Sequence, residues 1–175
     1  MLLRFRVVLI GAALFLAPAA AWAHPHQWVD VASELLFDPQ GRFAAIRHHW
    51  RFDEGFSVFA LQGLDADGDG AYSPEELQPL AQENVESLVD YDFFTFVSAG
   101  DDQSGFAAPQ DYNLDLSDGR LTLHFTLPLA QPLKSGGAIL MQVYDPEYYI
   151  AFALPGREAV RMVGSPEACR LQVFP

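Results

Sequence analysis

The sequence is poor in basic residues and in cysteine. Ten lysines and arginines face 23 aspartates and glutamates among 175 residues, which gives a formal net charge of −13 at pH 7. Such a surface repels phosphate backbones, so the composition argues against nucleic-acid binding. The single cysteine, Cys169, excludes an intramolecular disulfide and a cysteine-based zinc finger. Half of the residues are nevertheless hydrophobic, which predicts one folded, acidic domain.

Motifs that mark common enzyme classes are also absent. The sequence has no G-x-S-x-G nucleophile elbow, no H-E-x-x-H zinc motif, no phosphate loop and no C-x-x-C pair. Nothing in it therefore predicts an enzyme. Beyond the first 23 residues no stretch is apolar and long enough to cross a bilayer. We therefore expect a mature chain that does not span the membrane.

The first 23 residues are predicted to be a cleaved signal peptide. Arg4 and Arg6 precede an apolar run at 7–16, and the small-x-small pattern at 21–23 is typical of a signal-peptidase site. An N-terminal anchor is the alternative, but the run is shorter than the ~20 residues that a span needs. We expect a periplasmic mature chain, 24–175, that forms a single domain.

The apolar periodicity predicts an α+β fold. Most of the mature chain alternates as β-strands do, whereas residues 54–90 have helical spacing around a loop. We expect a mainly antiparallel β-sheet or sandwich with an EF-hand-like helix–loop–helix inserted at about 54–90. The predicted strands cover 26–37, 42–52, 92–98, 111–117, 120–128, 138–144, 148–154, 159–163 and 169–174.

The loop between the two predicted helices has the ligand spacing of a calcium-binding EF-hand. It reads D-A-D-G-D-G-A-Y-S-P-E-E, with oxygen ligands at loop positions 1, 3, 5, 7, 9 and 12. These ligands are Asp65, Asp67, Asp69, the Ala71 carbonyl, Ser73 and Glu76. The alternative is an acidic turn in which Glu76 only caps the second helix through Ser73. Because the chain has no second such loop, we expect calcium to have a structural role.

Cleavage after Ala23 would place a metal-chelating sequence at the new amino terminus. The α-amine and ring of His24 can chelate one ion, and His26 adds a third nitrogen, which suits nickel, cobalt, zinc or copper. Pro25 has no amide hydrogen, so the square-planar copper motif cannot form. The alternative is that these histidines are only a frayed chain end.

Three further histidines lie on predicted strands. His48 shares a strand face with Trp50, and is either an additional metal ligand or a core histidine. His49, also a possible ligand, points to the opposite face, so the two are not expected to join the same site; His124 is a further possible ligand. His124 alternates with Leu123 and Phe125, which places it on the polar side of its strand.

Several short motifs together resemble the domain of unknown function 1007 family of bacterial exported proteins. They are H-P-H at 24–26, W-R-F-D-E at 50–54, L-D-A-D-G-D-G at 64–70, Y-D-F-F-T at 91–95, D-G-R-L-T-L at 118–123 and V-Y-D-P-E-Y-Y at 143–149. The resemblance implies the periplasmic component of an uncharacterised ABC-type transport system. It also implies inner-membrane metal permeases, of the nickel/cobalt kind, or ABC transporter subunits as partners.

Three functions are consistent with these features. The first is a periplasmic metal-binding accessory of a transition-metal transport system, with a structural calcium loop. The second is a calcium-stabilised interaction module that docks to a membrane permease through an aromatic edge near 144–149. The third is a copper redox enzyme that uses the His24 chelate as a histidine brace.

Overall fold

The computed structural model describes residues 25–100 and 102–174. The predicted signal peptide and His24 lie outside the described residues. Nine β-strands are present in the described part: β1 (Gln27–Phe37), β2 (Arg42–Phe52), β3 (Thr95–Ala99), β4 (Asp102–Ser104), β5 (Gln110–Ser117), β6 (Arg120–Lys134), β7 (Ile139–Val143), β8 (Ile150–Ala153) and β9 (Val160–Val163). The α-helices are α1 (Glu54–Ala60) and α2 (Pro74–Ser87), and 3-10 turns cover Leu88–Phe94 and Arg157–Ala159.

The strands form two sheets. The larger has the order β5-β6-β2-β1-β8, with β9 also paired to β1, and the smaller has the order β4-β3-β7. Pairing is antiparallel except that β8 and β9 run parallel to β1. The described residues thus confirm an α+β fold with mostly antiparallel strands.

The long hairpin β1–β2 and the strand β6 set the two faces of the larger sheet. Val31 lies opposite Trp50, and Trp50 lies opposite Leu123, so these buried side chains share one face, here called the inner face. Because side chains alternate along a strand, His49 and His124 lie on the other face, here called the outer face. Helix α2 packs its buried residues Leu77, Ala81 and Val85 into the same core as the inner face.

The two predicted helices are found, and the predicted strands are found with ends shifted by three residues or fewer, except that β6 continues from 128 to Lys134 and that one strand is missing. Residues 169–174 were expected to form a strand from their alternation, but they are irregular in the structure. A β-strand needs a neighbouring strand for its hydrogen bonds, and among the described residues none pairs with 169–174. The strand predicted at 169–174 from alternation alone was therefore wrong. The short β4 was not expected.

The inserted segment begins and ends with clear capping interactions. The Asp53 side chain accepts the Phe56 N–H at 2.9 Å and so caps α1. Ser73 caps α2, with Pro74 at its first position, and Glu76 completes a capping box. The second predicted helix ends at Ser87, where a 3-10 turn continues the chain. Among the described residues, no helix is long and apolar enough to cross a membrane.

Candidate metal-binding sites

The loop between α1 and α2 brings three carboxylates together. Asp65, Asp67 and Glu76 each offer an oxygen, and these oxygens lie within 4.8 Å of one another. In the sequence they are loop positions 1, 3 and 12, which are the first, second and last side-chain ligands of an EF-hand. Three converging carboxylates repel one another, so a bound cation would stabilise this arrangement.

Backbone amides of the same loop hold these carboxylates in place. Asp65 accepts the N–H groups of Gly68 at 2.8 Å and Gly70 at 3.1 Å. Both glycines have positive φ angles, 76° and 81°, which is where glycine is favoured over other residues. The loop therefore folds back around its first aspartate.

Glu76 serves the helix cap and the carboxylate group at the same time. Its Oε2 accepts the N–H and the hydroxyl of Ser73, at 2.9 and 2.8 Å, and its Oε1 accepts the Ala66 N–H at 2.8 Å. These hydrogen bonds, the Ser73 amide first, lower the pKa of Glu76, so the side chain stays ionised. The capping box that we considered as the alternative is present, and it leaves Glu76 beside Asp65 and Asp67.

The remaining predicted calcium ligands lie in the same loop but outside this group of three. Asp69 accepts the Ala71 N–H at 2.7 Å, and the Ser73 hydroxyl is bonded to Glu76. Asp67 accepts the Asp69 N–H at 3.1 Å. Calcium binding by the full set stays a prediction.

Of the terminal histidines, the structure describes His26 alone. Its side chain is exposed, its N–H donates to the Tyr149 carbonyl at 2.8 Å, and its ring centroid lies 4.8 Å from that of Tyr149. The terminus is thus attached to the 144–149 loop instead of being frayed at this point. His24, the other proposed ligand, lies outside the described residues.

His48 is fully buried on the inner face, far from His26. It pairs with Ser33, seven residues along β1 from His26, or about 23 Å at the usual strand rise. Its Nδ1 lies 2.9 Å from the Ser33 hydroxyl, and its Nε2 lies 3.3 Å from the Thr95 hydroxyl. The structure therefore does not bring His48 to the terminal histidines, and His48 has the placement of a core histidine.

The hydrogen bonds around His48 define its protonation. The Thr95 hydroxyl donates to the Phe93 carbonyl at 2.8 Å, so towards His48 it acts as an acceptor from Nε2–H. The Ser33 hydroxyl then donates to Nδ1. Burial lowers the pKa of His48 to about 3, with a smaller contribution from the charge of His49. His48 is thus a neutral, fully bonded side chain.

A second group of polar side chains crosses the outer face. Glu34 on β1, His49 on β2, His124 on β6 and Asp115 on β5 come from four adjacent strands, and we call them the outer-face row. His49 and His124 are directly opposite in register, with their Nδ1 atoms 2.6 Å apart. The sequence placed each histidine on a polar strand face but did not pair them, because the register between β2 and β6 joins residues 75 positions apart.

Comparisons with known proteins place this chain in a family whose function is not defined. The structure defines the class of protein: an acidic, mostly antiparallel β-fold with an inserted acidic loop. The family described as protein of unknown function (DUF1007) matches residues 9–175, and the chain belongs to it.

Two relatives carry no functional name. An uncharacterized protein of Haemophilus influenzae is 24% identical over 151 residues, which cover 85% of this chain and 71% of that protein. An uncharacterized 15.5 kDa protein from the trpE 3′ region of Spirochaeta aurantia is 26% identical over 85 residues. That match covers 49% of this chain and 61% of the relative.

Proposed function

We propose that this protein is a periplasmic metal-binding accessory of a transition-metal transport system, with a calcium ion in the 65–76 loop. The observation that carries the metal-binding part is the convergence of Asp65, Asp67 and Glu76 within 4.8 Å. Calcium prefers several carboxylate and carbonyl oxygens, and the loop supplies both at the EF-hand spacing. Transport of nickel, cobalt, zinc or copper is proposed from the histidine terminus and from the resemblance to exported transport components.

Calcium is expected to raise the melting temperature by about 5–10 °C at a hundredfold excess over its Kd, because it binds only the folded loop. Glu76→Gln keeps an oxygen that can cap α2 but removes the charged bidentate ligand, so the calcium-dependent rise should disappear. Glu75→Gln is the matched control, since Glu75 is an exposed neighbour in the same first turn. Melting curves with calcium and with a chelator measure both.

The opposite result is also informative. If Glu76→Gln lowers the melting temperature equally with and without calcium, the residue only caps the helix. The calcium part of the proposal would then be wrong, whereas the capping box would stand.

The transition-metal part depends on a free amine at His24. The processed protein, saturated with calcium, is expected to bind nickel, cobalt, zinc or copper through the amine and ring of His24 and through His26. Isothermal titration should show that this site is lost when extra residues precede His24, and weakened by His26→Ala. Equal binding by the extended and processed proteins would contradict a terminal chelate.

A calcium-stabilised interaction module is the second candidate, and exposed aromatic residues favour it. Trp28, Tyr148 and Tyr149 are 53%, 77% and 52% exposed. Trp28 pairs with Ala151 on β8, directly after the 144–149 loop, so the three lie at the same edge of the larger sheet. Such rings suit a docking surface on a permease. This candidate predicts calcium stabilisation with no terminal transition-metal site. A copper enzyme would instead require redox turnover with copper at that terminus.

A further inference from the structure

The outer-face row has a geometry that neither the calcium loop nor the terminal chelate accounts for. His49 and His124 face each other across β2 and β6, with ring centroids 4.9 Å apart and planes at 65°. Their Nδ1 atoms are 2.6 Å apart, closer than the usual distance between two hydrogen-bonded nitrogens. Both rings thus direct their Nδ1 atoms at the same point on the surface.

The protonation of His124 follows from its other nitrogen. Nε2 lies 2.5 Å from Asp115 Oδ2, and a carboxylate accepts hydrogen bonds but does not donate them. Nε2 therefore carries the hydrogen. In the neutral ring this is the one N–H, and the Nδ1 of His124 then presents a lone pair to His49.

His49 also has a carboxylate near its other nitrogen, at a distance beyond that of a hydrogen bond. Its Nε2 lies 3.7 Å from Glu34 Oε1, on the neighbouring strand β1. When the hydrogen of His49 is on Nε2, the Nδ1 lone pairs of the two rings converge, and a cation between them would relieve their repulsion.

We propose that the outer-face row binds one divalent transition-metal ion through Nδ1 of His49 and Nδ1 of His124. Imidazole nitrogens suit zinc, copper, nickel and cobalt. Metal-bound histidines commonly donate their second N–H to a carboxylate, which is the role of Asp115 for His124. This site lies on the sheet, separate from the chain terminus and from the calcium loop.

The distances require only a small adjustment for an ion to enter. Zinc–nitrogen bonds of about 2.0–2.1 Å at a tetrahedral centre place two ligand nitrogens about 3.3 Å apart. The His49 and His124 side chains are 30% and 25% exposed, so their rings can turn apart by the required fraction of an ångström. Water can fill the remaining positions from the solvent side.

The neighbouring arginines are bonded to acceptors other than the two histidines. Arg47 donates to Glu34 Oε2 at 3.0 Å, and Arg161 donates to the other oxygen of Glu34. Arg51 is directed to the Ser117 carbonyl at 3.4 Å. These contacts leave the Nδ1 atoms as the acceptors that converge between β2 and β6.

Zinc titration of the processed, calcium-saturated protein tests this site. His49→Gln and His124→Gln should each remove one zinc site. Asp115→Asn should weaken the same site by about 10- to 100-fold, because it disturbs the orientation of His124. Asp118→Asn is the matched control: it makes the same change of charge at an exposed position near the same sheet. His26→Ala is the control for the terminal chelate, and neither control should alter this site.

Nitrogen-15 spectra of the histidine rings provide a readout in the wild-type protein, independent of any folding defect in a variant. Saturating zinc should shift the Nδ1 resonances of His49 and His124 and leave Nε2 of His124 protonated. If both Nδ1 resonances are unmoved, or if His49→Gln and His124→Gln bind zinc as tightly as wild type, the pair only shares a proton and the site is wrong. Equal transition-metal binding by the extended and processed proteins, with His49→Gln and His124→Gln each still removing one zinc site, would contradict the terminal chelate of the proposed function and leave this site standing.

Discussion

Lowering the pH from 7 to 5 is expected to reduce the free energy of unfolding by about 2 kcal/mol through His48 alone. The ring is completely buried, and burial lowers its pKa from 6.5 to about 3 in the folded state. Within the described part of the chain, its ring nitrogens contact the hydroxyls of Ser33 and Thr95, which do not compensate a positive charge. Acidification therefore favours the unfolded chain, where the ring is free to bind a proton.

The sign follows from the direction of the shift. A folded pKa below the unfolded pKa means that the unfolded state binds more protons between the two values. The stabilisation is fully present above pH 6.5 and is lost as the pH falls towards 3, to a total of about 5 kcal/mol. The window from pH 7 to 5 isolates the histidines, since ordinary carboxyl groups titrate near pH 4.

Urea unfolding at several pH values, with saturating calcium and no transition metal, measures this slope. His48→Gln keeps a donor and an acceptor for the two hydroxyls but does not titrate, so most of the slope should vanish. His49→Gln is the matched control from the adjacent position. Because His49 is only partly buried, burial lowers its pKa less than that of His48, and this substitution should remove only a minor part of the slope. An equal slope in wild type and His48→Gln would show that His48 is not the group that titrates.

Local sequence signals identified the parts of the fold that depend on neighbouring residues. The predicted strand at 42–52 and the predicted start of α2 at Pro74 agree with the structure. Both signals, alternation and capping, depend on residues that are close together in the sequence. The spacing of Asp65, Asp67 and Glu76 likewise predicted side chains that the structure brings together. In each case the chemical pattern and the geometry belong to one short segment.

Features that depend on strand register could not be obtained in the same way. His49 and His124 are each recognisable as polar-face residues, but only the pairing of β2 with β6 makes them neighbours. The parallel addition of β8 and β9 to β1 is equally non-local. A one-residue shift of β6 would have turned His124 to the inner face.

The same alternation explains how adjacent histidines have different roles. His48 and His49 follow one another on β2, so one ring enters the core and the other reaches the outer face. Burial makes the first a neutral structural residue that both hydroxyls hold in place. Partial exposure and a facing histidine make the second suitable as a metal ligand.

Replacing Asp145 by alanine is expected to destabilise the protein by about 3–5 kcal/mol, because one buried carboxylate accepts three backbone amides. Asp145 is 7% exposed. Its oxygens accept the N–H groups of Glu147, Tyr149 and Ile150, each at 2.9 Å. Alanine would leave these donors unpaired where the 144–149 loop enters β8.

This change also tests how the aromatic edge is held. Tyr148 has a positive φ of 59°, a conformation that costs energy for a residue with a side chain, and the bonds to Asp145 on either side enforce it. Amide hydrogen exchange at residues 147, 149 and 150 should therefore accelerate in Asp145→Ala. Asp145→Asn, which keeps one oxygen acceptor, should give an intermediate loss of stability. Unchanged exchange with a loss below about 1 kcal/mol would mean that the packing of the loop, and not this carboxylate, holds Trp28, Tyr148 and Tyr149 at one edge.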